Sequence, residues 1–132
     1  MSTDRQERHT TATRLRALRG ATVVERNETD AIVDATEELL AEMLERNGVA
    51  LGDLVSVLFT ATPDLTAEFP AAAARRLGIS DVPLMCAVEI AVEGAPPRCV
   101  RVLMHLYTSR DYASLRHVYL GEARQLRTDL PG

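Results

Sequence analysis

RCVRVLMHLY, residues 98–107, is the longest β-prone apolar run of the chain, and beyond the leading Arg98 one charge, Arg101, is set into its first half. In an extended strand Val100, Val102, Met104 and Leu106 share one face, and Arg101, Leu103, His105 and Tyr107 share the other. An arginine among so many apolar neighbours is costly to bury unless an anion meets it. The alternative is an edge-strand arginine whose guanidinium reaches solvent. The rest of the chain must therefore be read for a carboxylate near Arg101, or for a site that takes an anion.

Upstream, Glu93-Gly94-Ala95-Pro96-Pro97 is turn chemistry, and 82–92 reads as a strand in which Pro83 excludes a fully paired central position. An antiparallel hairpin of 82–92 with 98–107 pairs Val92 with Arg98. Glu89 then lies opposite Arg101, or beside it after a one-residue change of register. Cys86, three residues from Glu89, faces the other way in a regular strand. Residues 54–60 (LVSVLFT) read as a buried strand, and Ala61-Thr62-Pro63-Asp64 as a turn. A short helix is expected over about 67–77, stopped by Gly78, with Arg75 and Arg76 where the dipole favours cations.

The clearest helix spans 28–47. Asn27 is placed to cap it, Gly48 to stop it, and Ile32, Ala35, Leu39 and Met43 form its apolar stripe. Its opposite face, with Asp34, Glu37, Glu38, Glu42 and Glu45, reads as simply solvated. Residues 14–19 alternate as a first strand broken by Gly20, which sets Arg19 at a strand's carboxyl end, where α/β-type sheets often present ligand groups. A polar connector follows Thr108, then a short strand over 116–120 (RHVYL) and a tail over 121–131.

These elements predict an α+β domain: a mixed β-sheet of about five strands with one long and one shorter helix. Its expected span is 14–132, with 1–13 as a polar tail outside the fold. A 132-residue domain is small for a deep enclosed cleft, so an interface between subunits is a natural place for a ligand site. The net charge of −4 argues against a nucleic-acid partner, and no apolar run approaches the ~18 residues of a membrane span. With Cys86 and Cys99 as the only cysteines and no apolar leader, a reduced cytoplasmic setting is expected. His9, His105 and His117 have no ligand spacing with the cysteines, so no metal is expected. No phosphate loop, nucleophile elbow or cysteine with an obvious base appears. All 15 basic residues are arginine, whose planar forks suit carboxylates. Such a set of groups binds a polyanion and stabilises charge; it does not attack anything.

The sequence resembles a known family along nearly its whole expected folded length. Leu18-Arg19-Gly20-Ala21-Thr22, Ser56 to Leu65 (SVLFTATPDL), Phe69-Pro70-Ala71 with Arg75, and Pro83-Leu84-Met85-Cys86 with Glu89 occur in the right order. They are followed by Arg98-Cys99-Val100-Arg101-Val102, Arg116-His117-Val118-Tyr119-Leu120 and Leu126-Arg127-Thr128-Asp129-Leu130. This pattern is similar to that of the monofunctional chorismate mutases of the Bacillus type.

The resemblance implies a homotrimer that forms a pseudo-α/β-barrel with active sites between subunits, working without cofactor or metal on the route to aromatic amino acids. The reaction would be the pericyclic rearrangement of chorismate to prephenate. By the match, Arg101 would face the breaking ether bond, Arg19 would bind a substrate carboxylate, Glu89 would accept a hydrogen bond from the ring hydroxyl, and Tyr119 would bind on the carboxylate side. Cys86 would lie beside Glu89, Arg75 near the cleft mouth, and Phe69 and Leu126 would be apolar lining. Ala72 stands where a lysine is often found at the cleft edge. Two other readings compete: a trimeric small-acid binder of the reactive-intermediate-deaminase type, and a ligand-binding trimer without activity. The first leaves Glu89 opposite Arg101 unexplained, and the intact arginine, carboxylate and tyrosine set speaks against the second.

Overall fold

A computed structural model describes residues 12–126. Most of the expected N-terminal tail, and the end of the chain from 127 with its Arg127-Thr128-Asp129 motif, lie outside the described residues.

The elements in chain order are β1 (Arg14–Val23), α1 (Thr29–Asn47), β2 (Leu54–Ala61), α2 (Ala72–Arg76), β3 (Leu84–Val88), β4 (Cys99–Thr108) and β5 (Val118–Tyr119). Short 3-10 turns occupy Leu51–Asp53, Tyr112–Ser114 and Gly121–Leu126. The strands form one mixed five-stranded sheet in the order β3-β2-β4-β1-β5. β4, which contains most of the RCVRVLMHLY run, is its middle strand. It pairs antiparallel with β1 from Arg14↔Thr108 to Val23↔Cys99, and with β2 from Leu54↔Leu106 to Ala61↔Val100. Arg101 is therefore not on an edge strand.

The alternation in β4 sorts the two faces as expected. Val100, Val102, Met104 and Leu106 are buried, packed in part against Ile32, Leu39, Leu40 and Met43 of α1. Arg101, Leu103 and His105 on the other face are only partly covered, and Tyr107 is exposed. The long helix covers one side of the sheet. The other side, which also exposes Leu15 and Met85, has no layer over it among the described residues. Exposed apolar side chains on an open sheet face are the kind of surface that commonly meets another.

Several expectations are corrected. The hairpin of 82–92 with 98–107 does not form. β3 is only Leu84–Val88 and runs parallel to β2, from Val57↔Leu84 to Ala61↔Val88. The physical reason lies in β2: an apolar strand buried in a sheet needs a neighbour on each side, and it takes the place between β3 and β4. The turn chemistry at 93–97 is real, but it carries the chain over the end of β2 rather than back along β3. Pro83 immediately precedes the edge strand β3, and its carbonyl accepts from the Val57 N–H of β2 (3.0 Å).

Gly20 is not a break but lies inside β1. A Cβ there would stand 2.6 Å from Met43 Sδ, so glycine permits the helix to lie close on the strand. Asn27 does not cap α1. Its Oδ1 accepts from the N–H groups of Thr66 and Ala67 (2.9 and 3.0 Å), and the N-cap position is Glu28, without a side-chain cap. The C-terminal stop is as read: Gly48 is left-handed (φ 61°), and the Val49 N–H returns to the Leu44 carbonyl at 2.9 Å. α2 has only five residues, since Pro70 favours the first turn and blocks extension through the residues before it. Arg76 spans to Asp34 and Glu37 (3.1 and 2.6 Å), so the acidic face of α1 is partly paired.

Candidate active site

The topology brings one end of the sheet together: the carboxyl ends of β1, β2, β3 and β5 and the entry of β4. Arg101 lies near the start of β4, with Ala21 of β1 as one cross-strand partner and Thr60 of β2 as the other. Arg19 projects from the same face two residues back along β1, and Tyr119 of β5 pairs with Ala21. Glu89 follows the last residue of β3, where its N–H is held by the Ala61 carbonyl at 2.8 Å. A cleft of about 320 Å³ is lined by Arg19, Thr60, Glu89, Arg101, Leu103 and Tyr119. A wider hollow shares Glu89 and Arg101 with it and adds Leu126.

Glu89 thus meets Arg101 as the hairpin reading foresaw, but by a different route. It reaches across the end of β2 instead of sitting opposite in a ladder. Arg101 Nε lies 3.4 Å from Glu89 Oε2, close enough for an ion pair yet without the alignment of a hydrogen bond. The guanidinium side chain remains 42% exposed, so its outer donors face the cleft. Thr60 Oγ1 donates to Glu89 Oε1.

Neighbouring contacts fix the frame. The Arg19 N–H donates to His117 Nδ1 (2.9 Å), which ties β1 to the segment leading into Tyr119. At the entry of β4, Arg98 adopts φ 50°. Its N–H is held by the Asp64 carboxylate (3.0 Å), while Thr62 Oγ1 donates to Asp64 and accepts from the Cys99 N–H (2.6 and 2.9 Å). This latch sets the path of the strand two residues before Arg101. Burial pushes the Cys99 thiol above its ordinary pKa, with the nearby Arg101 charge opposing, so Cys99 is a packed thiol beneath the site.

Not every residue singled out from the sequence joins this cleft. Phe69, 70% exposed, and Cys86 line a separate cleft of about 450 Å³ between the segment after β2 and the edge strand β3. Cys86 turns toward the helix side of β3, so within one chain it is not beside Glu89. Arg75 is exposed on α2 and lines neither cleft. Thr60, His117 and the Thr62–Asp64 latch were not foreseen as site residues. Thr60 had one signal, a hydroxyl at the carboxyl end of an otherwise apolar strand. Among the described residues no group of three His, Cys, Asp or Glu is placed to hold a metal, and no helix is long and apolar enough to cross a membrane.

Two guanidinium groups, one carboxylate and a phenol on one surface suit an anionic ligand that also carries a hydroxyl. Residues 15–130 match the family model described as chorismate mutase type I. The chain belongs to that family. Chorismate mutase AroH of Thermus thermophilus is 49% identical over 117 residues, covering 88% of this chain and 96% of its own. Its counterpart in Bacillus subtilis (strain 168) is 43% identical over the same length, covering 88% and 92%. A solved chorismate mutase from Clostridium thermocellum superposes with a TM-score of 0.82 at 47% identity, covering 83% of this chain and 98% of that one. As a chorismate mutase the chain is an isomerase, and its substrate and product are chorismate and prephenate. The matched span contains both the Arg101 cleft and the Phe69–Cys86 cleft.

Proposed function

We propose that this chorismate mutase works as a homotrimer in the cytoplasm, with each active site completed where the Arg101 cleft of one copy meets the Phe69–Cys86 cleft of the next. The observation that carries this reading is the division of the expected site residues between two surfaces of one chain, beside a sheet face that none of the described residues covers. In the trimer the three sheets close into a pseudo-α/β-barrel, and Phe69, Cys86 and Arg75 approach the substrate from the second copy.

The rearrangement is intramolecular, so the protein's task is to hold one conformer and stabilise charge. Arg19 grips a carboxylate of the folded dianion and Tyr119 hydrogen-bonds on the same side. Holding the reactive conformer removes an entropic barrier. As the C–O bond breaks ahead of C–C bond formation, negative charge builds on the ether oxygen. Arg101 meets it with donors already in place. Glu89 accepts from the ring hydroxyl and fixes the ring's rotation. Leu126 and Phe69 supply apolar walls that keep water off the reacting bonds.

The test is loss of chorismate absorbance with the purified chain and no additive, with prephenate identified as product. The Arg101→Ala variant is expected to lose at least ~10²–10³ in turnover, the effect of ~3–4 kcal/mol from one preorganised donor, while it still sediments as a trimer. Unchanged turnover in that variant would overturn the role of Arg101, and a fully active monomer would overturn the shared cleft.

A further inference from the structure

We infer that Thr60 is a positioning residue for the reaction: its hydroxyl holds the Glu89 carboxylate off Arg101 and aims it at the substrate. The inference rests on the role given to Glu89 above.

Glu89 has little else to hold it. It lies one residue beyond β3, where its N–H still bonds the Ala61 carbonyl but the ladder ends. Three side-chain torsions separate that backbone from the carboxylate, and freezing them costs free energy. The obvious clamp, Arg101, does not grip: Nε stands 3.4 Å from Oε2 and makes no aligned hydrogen bond among the described residues. The remaining contact is Thr60 Oγ1 to Glu89 Oε1.

Thr60 is suited to this by position and by stiffness. It sits on the strand between the two charges, paired with Arg101 on one side and with Ala87 of β3 on the other. Its branched Cβ restricts χ1, so the hydroxyl is a fixed post rather than a mobile tip. One carboxylate oxygen is engaged by Thr60, and the other is left between Arg101 and the open cleft.

Without the hydroxyl, a carboxylate and a guanidinium this close favour a two-point ion pair. That collapse would occupy donors Arg101 needs for the ether oxygen and remove the acceptor that meets the ring hydroxyl. Both losses fall on the chemical step more than on capture of the dianion, which Arg19 shares.

The experiment compares Thr60→Val, which keeps the shape and suits a strand, with Thr60→Ser, which keeps the hydroxyl. Melting temperature and trimer mass are followed for each, and Thr60→Ala replaces Val if Val lowers the melting point. Expected is a fall in kcat of about tenfold in Val with a smaller change in KM, and near-native kcat in Ser. In a Glu89→Ala background, Thr60→Val should add nothing further, because Thr60 acts through that carboxylate. Full activity in Thr60→Val, an equal loss in Ser, or an undiminished further loss on top of Glu89→Ala would each overturn the inference. A fully active Glu89→Ala would remove the role of Glu89 itself and the inference with it. An impaired Glu89→Ala beside an intact Thr60→Val removes the Thr60 inference alone.

Discussion

Arg101 shows how far one residue's chemistry can be read from its neighbours in sequence. The alternation of β4 put it on the face away from the apolar core, and its cost of burial demanded an anion, which the fold supplies as Glu89 at 3.4 Å. Thr60 was illegible for the opposite reason. A hydroxyl in an apolar strand has no meaning until its cross-strand neighbours are known, and those come from 27 and 41 positions further along. The fork geometry of Arg101 gives a prediction beyond loss of charge: Arg101→Lys keeps the cation but not the planar donors. Its kcat in the chorismate assay should stay well below native, though above that of Arg101→Ala. Native kcat in the lysine variant would mean that charge alone suffices. Cys99 gives a second. Burial favours its neutral thiol, and the thiolate is the reactive species, so iodoacetamide at neutral pH should leave Cys99 unmodified in the native protein. It should be labelled only in denaturant. Peptide mass mapping under both conditions is the check, and native labelling of Cys99 would contradict its burial.

At the scale of elements, the sequence was most informative where the signal is periodic and least where the partner is remote. α1 and β4 were read almost to their ends because each has one covered face. The neighbour of β3 is not legible from the turn after it, because a turn signal tells where a chain bends, not which strand it meets next. The unbroken apolar run of β2 held the missing clue, since such a strand favours a central place with a paired neighbour on each edge. Gly20 has the look of punctuation in the sequence, but its role is packing. A Cβ at this position would come within 2.6 Å of Met43 Sδ and 3.1 Å of Leu39 Cδ1, and both side chains are themselves fully buried. Gly20→Ala should therefore destabilise the fold by about 1–3 kcal/mol in urea unfolding, the usual range for an overpacked core. Combined with Met43→Ala, which opens room at the same point, it should lose less stability than the two single losses added together. Strict additivity of the two losses would show that Gly20 and Met43 do not share that contact.

The whole molecule carries its activity as a trimer on the reading proposed here, and that can be tested without any structure of the assembly. Within one chain the two clefts open on different surfaces, and the open face of the sheet exposes Leu15, Met85 and Tyr107. Sequence could anticipate that one small domain leaves its site unfinished, but which residues fall on which surface depends on the sheet order. Consider one variant that spoils the first surface, Arg101→Ala, and another that spoils the second, Phe69→Asp. Each alone should be nearly inactive as a homotrimer. Unfolded together, mixed in equal amounts and refolded, they form mixed rings. In every mixed ring one cleft draws Arg101 from a Phe69→Asp copy and Phe69 from an Arg101→Ala copy, so that one cleft is whole. Random assembly then restores about a quarter of the native kcat per chain, because the contact is head-to-tail around a closed three-fold ring. Recovery near that level fixes both the sharing and the ring. No recovery, with mixed trimers demonstrated by mass, would place each working site within a single chain.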